Sequence, residues 1–269
     1  MPKRQFDAIV GIDEVARCPV LGSLVIAGVA IADDFDLEKL RSIGVKDSKL
    51  LSRTHIMEIA RKLYAMPKIM IKHRTISAKI ISEDENLNTL EAKYATMIIK
   101  AFKENARVKH VYIDSCDRDG NTYKARLKRF LKLNENVTKY TIETKADENY
   151  LVVSAASIIA KYISDKELDL LRFDYDIGSG NPNDPKTLDF IIRAILDRKS
   201  YSFIRTNWIT YQRLYQALTT FQSSDPRVQQ VLFEFIQRLQ AKGDFSEAKA
   251  LQTKYIDLLS IGGKNNGNI

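Results

Sequence analysis

Short apolar runs and helical stripes alternate over the first 220 residues of the chain. Residues 6–14 carry the run Ala8, Ile9, Val10, extended by Ile12, and residues 22–32 are almost wholly apolar. Both suit strands buried on two faces. Residues 68–76 (KIMIKHRTI) alternate and predict a third strand; 110–114 (HVYID) and 137–143 predict a fourth and a fifth. Helical spacing marks 53–64, 122–133, 186–197 and 209–220. It also marks 88–106, with Leu90, Tyr94, Met97, Ile98 and Phe102 on one face, and 152–171, opened by the small residues SAAS. Segments 45–51 and 178–185 (GSGNPNDP) are polar and turn-like. Three strands followed by two strand units separated by helices make an α/β pattern with a mixed, five-stranded sheet.

The last fifty residues read differently. Asp225-Pro226 offers a cap with proline at the first helical position. Val228, Val231, Leu232, Phe235 and Leu239 then share a face, and Gly243 can end the helix. Phe245, Ala248, Leu251, Tyr255 and Leu258 supply a second apolar face. A helical hairpin docked back on the domain is expected, followed by a disordered GGKNNGNI tail. The division is a catalytic domain over 1–220 and a helical appendage over 221–269, the latter a surface open to partner subunits of an otherwise monomeric chain.

Charge adds a partner class. Forty-two Lys and Arg against 34 Asp and Glu leave a net +8, which fits a nucleic-acid partner. Lys124, Arg126, Lys128, Arg129 and Lys132 fall in a stretch without an acid and could track a phosphate backbone, or simply be a solvated helix face. Two cysteines, Cys18 and Cys116, make no disulfide framework and suit a reducing cytoplasm or nucleus; in loops following two strands they could also bridge under oxidation. Lys3 and Arg4 before an apolar run hint at a signal peptide, but Asp7, Asp13 and Glu14 interrupt it. The apolar run 24–32 is too short to span a bilayer.

Candidate chemistry gathers at strand ends. Asp13 and Glu14 close the first strand, Asp114 closes the fourth, and Asp147 precedes the 152–171 helix. Burying such acids is unfavourable unless a cation compensates them, and hard divalent cations take carboxylate oxygens. Consecutive strand residues point to opposite faces, so Asp13 and Glu14 share a site only where the strand is ending. A serine nucleophile is set aside: Ser157 and Lys161 are four apart rather than three, and His55, His73 and His110 match no metal spacing.

At these residues the chain resembles ribonuclease HII, the type 2 ribonuclease H family, in its archaeal and eukaryotic branch. The motifs are GIDE at 11–14 with Arg17 and Pro19, DSK at 47–49, YID at 112–114, KAD and VVSAASIIAK between 145 and 161, and GSG-x-P-x-DPKT at 178–187. The resemblance implies a ribonuclease-H-like fold, with Asp13, Glu14, Asp114 and Asp147 as catalytic carboxylates holding two Mg2+ or Mn2+ ions. It implies hydrolysis of the RNA strand of RNA–DNA hybrids, or of DNA duplexes with embedded ribonucleotides, on the 5′ side of a ribonucleotide to leave a 3′-hydroxyl. It assigns substrate contacts to Ala16, Arg17 and Cys18, standing where the family has Gly-Arg-Gly, and to Lys49, Asn88 and Asn181. Asn181 stands where the family has a tyrosine that stacks on the sugar. With both glycines and the tyrosine changed, two readings stand: a metal-dependent endoribonuclease with weakened preference for single ribonucleotides, and a catalytically poor hybrid-binding scaffold. The four retained carboxylates favour the enzyme.

Overall fold

The computed structural model describes residues 6–84, 86–220 and 225–254. Lys3 and Arg4 of the signal-like stretch, Tyr255 and Leu258 of the second apolar face, and the glycine- and asparagine-rich tail lie outside them.

Five strands form one sheet: β1 (Asp7–Val15), β2 (Leu24–Ala32), β3 (Ile69–Ile76), β4 (Arg107–Asp114) and β5 (Lys139–Glu143), in the order β3-β2-β1-β4-β5. β1 to β3 pair antiparallel as a meander, while β4 and β5 run parallel to β1. The helices of the described residues are α1 (Glu38–Ser42), α2 (Arg53–Ala65), α3 (Ala78–Glu83), α4 (Leu87–Lys103), α5 (Gly120–Lys128), α6 (Ala146–Asn149), α7 (Leu151–Asp174), α8 (Pro185–Leu196), α9 (Ile209–Thr220), α10 (Pro226–Ala241) and α11 (Phe245–Lys254). The short α1, α3 and α6 are not legible as periodicity. The basic helix ends at Lys128, five residues short of the expected Leu133.

Strand alternation decides what each sheet face meets. Val25, Ala27, Val29 and Ile31 pack with Ile56, Ile59, Ala60 and Leu63 of α2 and with Val152 to Ala160 of α7. Gly11 belongs to this face. A Cβ there would lie 2.6 Å from the Val153 nitrogen and collide with the Val152 carbonyl, so the glycine lets α7 begin directly on β1. On the opposite face a Cβ at Gly28 would meet Ile98 and Phe102 of α4. The buried stripe of α4 is Leu90, Glu91, Ala92, Ala95, Thr96, Ile98, Ile99 and Phe102. Met97, expected on that face, is 42% exposed, because small and polar residues line half of the true one.

The chain divides into two compact units: residues 1–17 with 22–170, and 18–21 with 171–269. Helices α8 and α9, read from the sequence as part of a domain ending at 220, group with α10 and α11. Within this second unit the expected cap holds: the Asp225 side chain accepts from the Arg227 N–H and Pro226 opens α10. Gly243 turns the chain at φ +86° into α11. Arg238 of α10 donates three hydrogen bonds to Asp189 of α8, at 2.7, 3.0 and 3.2 Å, and Arg193 of α8 stacks over Phe235. No helix of the described residues is long and apolar enough to cross a membrane.

Candidate active site

β1 does not end at its acids. Asp13 pairs with Ala27 and Glu14 with Ile26, and the strand runs on to Val15. The two side chains therefore leave opposite faces of the strand. Asp13 joins Asp114, the last residue of β4, and Asp147 of α6, with one carboxylate oxygen from each within 4.8 Å of the others. Glu14 stands outside this trio but within its electrostatic reach.

Two members of the trio, Asp13 and Asp114, are held by backbone amides. The Glu14 N–H donates to Asp13 at 2.7 Å and the Ala146 N–H to Asp114 at 2.9 Å. Lys145, at φ +62°, takes the left-handed turn that aims this amide and starts α6. Asp147 is 1% exposed, its Oδ2 accepts from Lys49 Nζ at 3.1 Å, and its Oδ1 is buried without a hydrogen-bond partner. The Ser154 hydroxyl donates to the Asp147 carbonyl at 2.6 Å, tying α6 to the start of α7. Ser157 shares a hydrogen bond with Ser48 at 2.9 Å, while Lys161 pairs with Asp165, so neither forms a nucleophile–base pair with the other.

The charges are under-compensated. Burial, then the Asp114 charge, pushes the Asp13 carboxyl well above the usual range, with Ser157 and the Glu14 amide opposing. Burial, Glu91, Asp13 and Asp114 raise Glu14, and Arg17 opposes. Burial raises Asp114 against the Ala146 amide. Burial works against the Lys49 charge, yet the Asp147 hydrogen bond and charge outweigh it and raise its pKa. A buried carboxylate oxygen with no donor, in a cluster of three acids facing one lysine that is itself 68% exposed, is what a hard divalent cation satisfies.

The sequence-predicted substrate residues divide. Arg17 donates to Asn88 Oδ1 at 2.8 Å and forms an ion pair with Glu91. The Asn88 amide in turn donates to Asp117 at 2.7 Å, so both ends of that side chain are engaged by protein. Arg126 also grips Asp117 and donates to Thr89 at 2.8 Å, and Lys124 pairs with Glu135. Of the basic run, Lys128, Arg129 and Lys132 remain exposed. Ala16 keeps a left-handed backbone at φ +68° without being glycine. Cys18 and Asn181 belong to the second unit and lie in adjoining segments: the Val20 and Leu21 amides donate to the Gly180 carbonyl at 2.9 and 3.2 Å. There Cys18 is exposed, its carbonyl accepting from Trp208 Nε1 at 3.0 Å. Both cysteines are free thiols. Glu91 and Asp117 escape sequence reading altogether; the one signal was an acid three residues after Asn88 on an otherwise inward-facing helix.

The family model described as Ribonuclease HII matches residues 10–211. The Ribonuclease HII of Methanosphaera stadtmanae is 40% identical over 210 residues, covering 77% of this chain and 94% of that protein. The crystal structure of the ribonuclease H2 from Pyrococcus horikoshii superposes with a TM-score of 0.70 at 31% identity, covering 79% of this chain and 99% of that one. The RNase HII from Archaeoglobus fulgidus, solved as a complex with PCNA, gives 0.66 at 31% identity over 77% of this chain and 97% of that one. With the sheet order, the three clustered carboxylates and these matches in agreement, the chain belongs to the ribonuclease HII family, divalent-metal-dependent type 2 ribonuclease H endonucleases that act on RNA–DNA hybrids.

Proposed function

We propose that this enzyme hydrolyses the RNA strand on the 5′ side of a ribonucleotide and leaves a 3′-hydroxyl, with Mg2+ or Mn2+ held by Asp13, Asp114 and Asp147 and with Glu14 completing the set. The observation that carries the reading is the partnerless, buried Asp147 Oδ1 inside a three-acid cluster. Divalent ions bound there would supply a hydroxide near neutral pH and stabilise the leaving oxygen. The chain's own part is to fix Asp13 and Asp114 by backbone amides, so that little reorganisation accompanies the reaction. Lys49 offsets one negative charge and, being mostly exposed, is available to a substrate phosphate. Arg17 is the second cation offered to the substrate strand. A hybrid-binding scaffold would have no use for buried acids that disfavour the fold without metal. Two free thiols support a reducing, cytoplasmic or nuclear, setting.

Specificity is read from the departures at Ala16, Cys18 and Asn181. A lone ribonucleotide offers a single 2′-hydroxyl and so demands close contacts at one sugar. Replacing an aromatic stack by Asn181 forfeits roughly 1–3 kcal/mol, which shifts preference toward runs of several ribonucleotides. The test compares end-labelled duplexes containing one or four ribonucleotides, each incubated with Mg2+ or Mn2+, with product ends mapped. Cleavage 5′ to a ribonucleotide, more efficient on the four-ribonucleotide duplex, is expected, and the triple variant Ala16→Gly, Cys18→Gly, Asn181→Tyr should narrow the gap. Products ending in a 3′-phosphate would overturn the proposed chemistry. Equal efficiency on both duplexes would overturn the specificity.

A further inference from the structure

Helix α4 begins with a set of polar residues that the carboxylate cluster does not use. Its cap Asn86, then Asn88, Thr89 and Glu91, face Arg17 from the loop after β1, Asp117 from the loop after β4, and Arg126 of α5. Asn88 and Glu91, one turn apart, grip separate nitrogens of the same guanidinium: Nη2 donates to Asn88 and Nη1 pairs with Glu91. Glu91 is 1% exposed, whereas 30% of the Arg17 side chain remains open. The guanidinium is therefore anchored against the interior while part of the Arg17 side chain stays open to solvent, three residues beyond Glu14. A second layer holds the first, since Asp117 accepts from Asn88 at 2.7 Å and from Arg126 at 2.9 Å.

Such an arrangement is poor as mere core. A carboxylate in place of an aliphatic residue on the buried face of α4 is unfavourable unless paired, and an arginine held by two partners has already lost most of its rotamer freedom. That loss is repaid if the cation must meet a ligand without further ordering. We infer that Glu91 is a positioning residue. With Asn88 it clamps Arg17 in the orientation that meets the substrate strand, and Asp117 of the loop after β4 and Arg126 of α5 brace the clamp. Asn88 thereby acts through Arg17 rather than on the nucleic acid. The inference rests on the reading of Arg17 as a substrate contact.

The experiment uses the full chain with Glu91→Ala, Glu91→Gln, Arg17→Ala and the Arg17→Ala/Glu91→Ala pair, with kinetics on the four-ribonucleotide duplex in Mg2+. Glu91→Ala should raise KM about tenfold, with kcat within threefold. Glu91→Gln, which still accepts from Arg17, should recover to within threefold of the parent. In the Arg17→Ala background, Glu91→Ala should add less than twofold. A fall in kcat at unchanged KM, or the same factor of loss with and without Arg17, would mark Glu91 as structural and overturn the clamp. A readout independent of cleavage is the arginine side-chain 15N spectrum, with the Arg17 signal assigned by its loss in Arg17→Ala. A sharp Arg17 signal in the parent and in Glu91→Gln, broadened in Glu91→Ala, supports the clamp even if the parent proves unable to cut a hybrid, a result that would fault the proposed reaction alone. A signal unchanged in Glu91→Ala overturns the clamp.

Discussion

Asp13 and Glu14 are neighbours in sequence, yet they look into two different electrostatic worlds. On one side of β1, Asp13, Asp114 and Asp147 face one another with Lys49 as their nearest cation, and an Asp147 oxygen is left without a donor. On the other, Glu91 and Asp117 each face an arginine, Arg17 and Arg126, and the amide of Asn88 joins the two pairs. Both clusters are buried and carboxylate-rich. The first, the open cluster, sets three acids against one exposed lysine; in the second, the closed cluster, each acid has its own arginine, although Glu91 Oε1 is likewise buried without a hydrogen-bond partner. A closed cluster gives position and an open one gives binding. Glu14 lies between them, raised by burial, by Glu91 of the closed cluster and by Asp13 and Asp114 of the open one.

The sharpest way to break this distinction is to remove one acid from the open cluster. Asp13→Asn or Asp114→Asn should lower cleavage at least a thousandfold, upwards of about 4 kcal/mol in transition-state terms. Hybrid affinity should stay within a few-fold, because that rests mainly on basic contacts. Near-parental turnover in Mg2+ by either variant would show that the trio is not where the reaction is supported.

How much of the contrast was legible in the letters depends on chemistry at each position. The open cluster was readable, because acids at the ends of apolar runs are conspicuous, and so were the five strands and the C-terminal cap at Asp225-Pro226. The face of Glu14 was not, because sequence alone does not say that β1 continues to Val15. The closed cluster was invisible for a related reason. The helical spacing puts Met97 on the core face and does not single out Glu91 or Thr96, whereas the small Ala92 and Ala95 let α4 lie close to the sheet with the acid turned inward. Nor could letters show that the segments of Cys18 and Asn181, 163 positions apart, are tied at Gly180.

A second test uses pH and metal. For Asp13, Glu14 and Asp114, held above the carboxylate range, the folded state keeps a proton that the unfolded chain has already lost. Their contribution is full below about pH 4 and drains as pH rises toward their folded values. Metal-free protein should therefore lose thermal stability as pH rises above about 4, and Mg2+ at about a hundred times its dissociation constant should restore about 2.7 kcal/mol once the acids are ionised. Glu91 is raised as well, chiefly by burial against the pull of Arg17, so some slope belongs to the closed cluster. The distinguishing result is that Asp13→Asn with Asp114→Asn removes the metal-induced shift and leaves only a residual slope. A melting temperature that rises with pH in EDTA, or ignores Mg2+, would contradict the open cluster.

The closed cluster predicts the converse. Asp117→Ala strips a buried acceptor from Asn88 and Arg126 and should cost about 2 kcal/mol, read from denaturant midpoints, while keeping the full Mg2+ shift. A variant that lost the metal response would mean the two clusters act as one.

The smallest effect tests the hinge that connects them. Ala16 links Glu14 to Arg17 at φ +68°, a conformation that places an alanine Cβ too close to the neighbouring carbonyl and costs about 1–2 kcal/mol. Glycine takes the same turn without that penalty but gives up about 0.5–1 kcal/mol of unfolded-chain entropy. Ala16→Gly should therefore stabilise the fold by a net ~0.5 kcal/mol, one or two degrees in melting temperature for a chain of this size. Cys18 is absent from the left-handed residues, so Cys18→Gly has no such strain to relieve and should be neutral or slightly destabilising. The opposite signs separate two reasons a glycine can stand in this loop. At 16 the backbone asks for one, and at 18 only the space beside the substrate would. If Ala16→Gly proves destabilising, the turn is held by contacts of the methyl group, and the backbone conformation is no longer the reason to expect a glycine there.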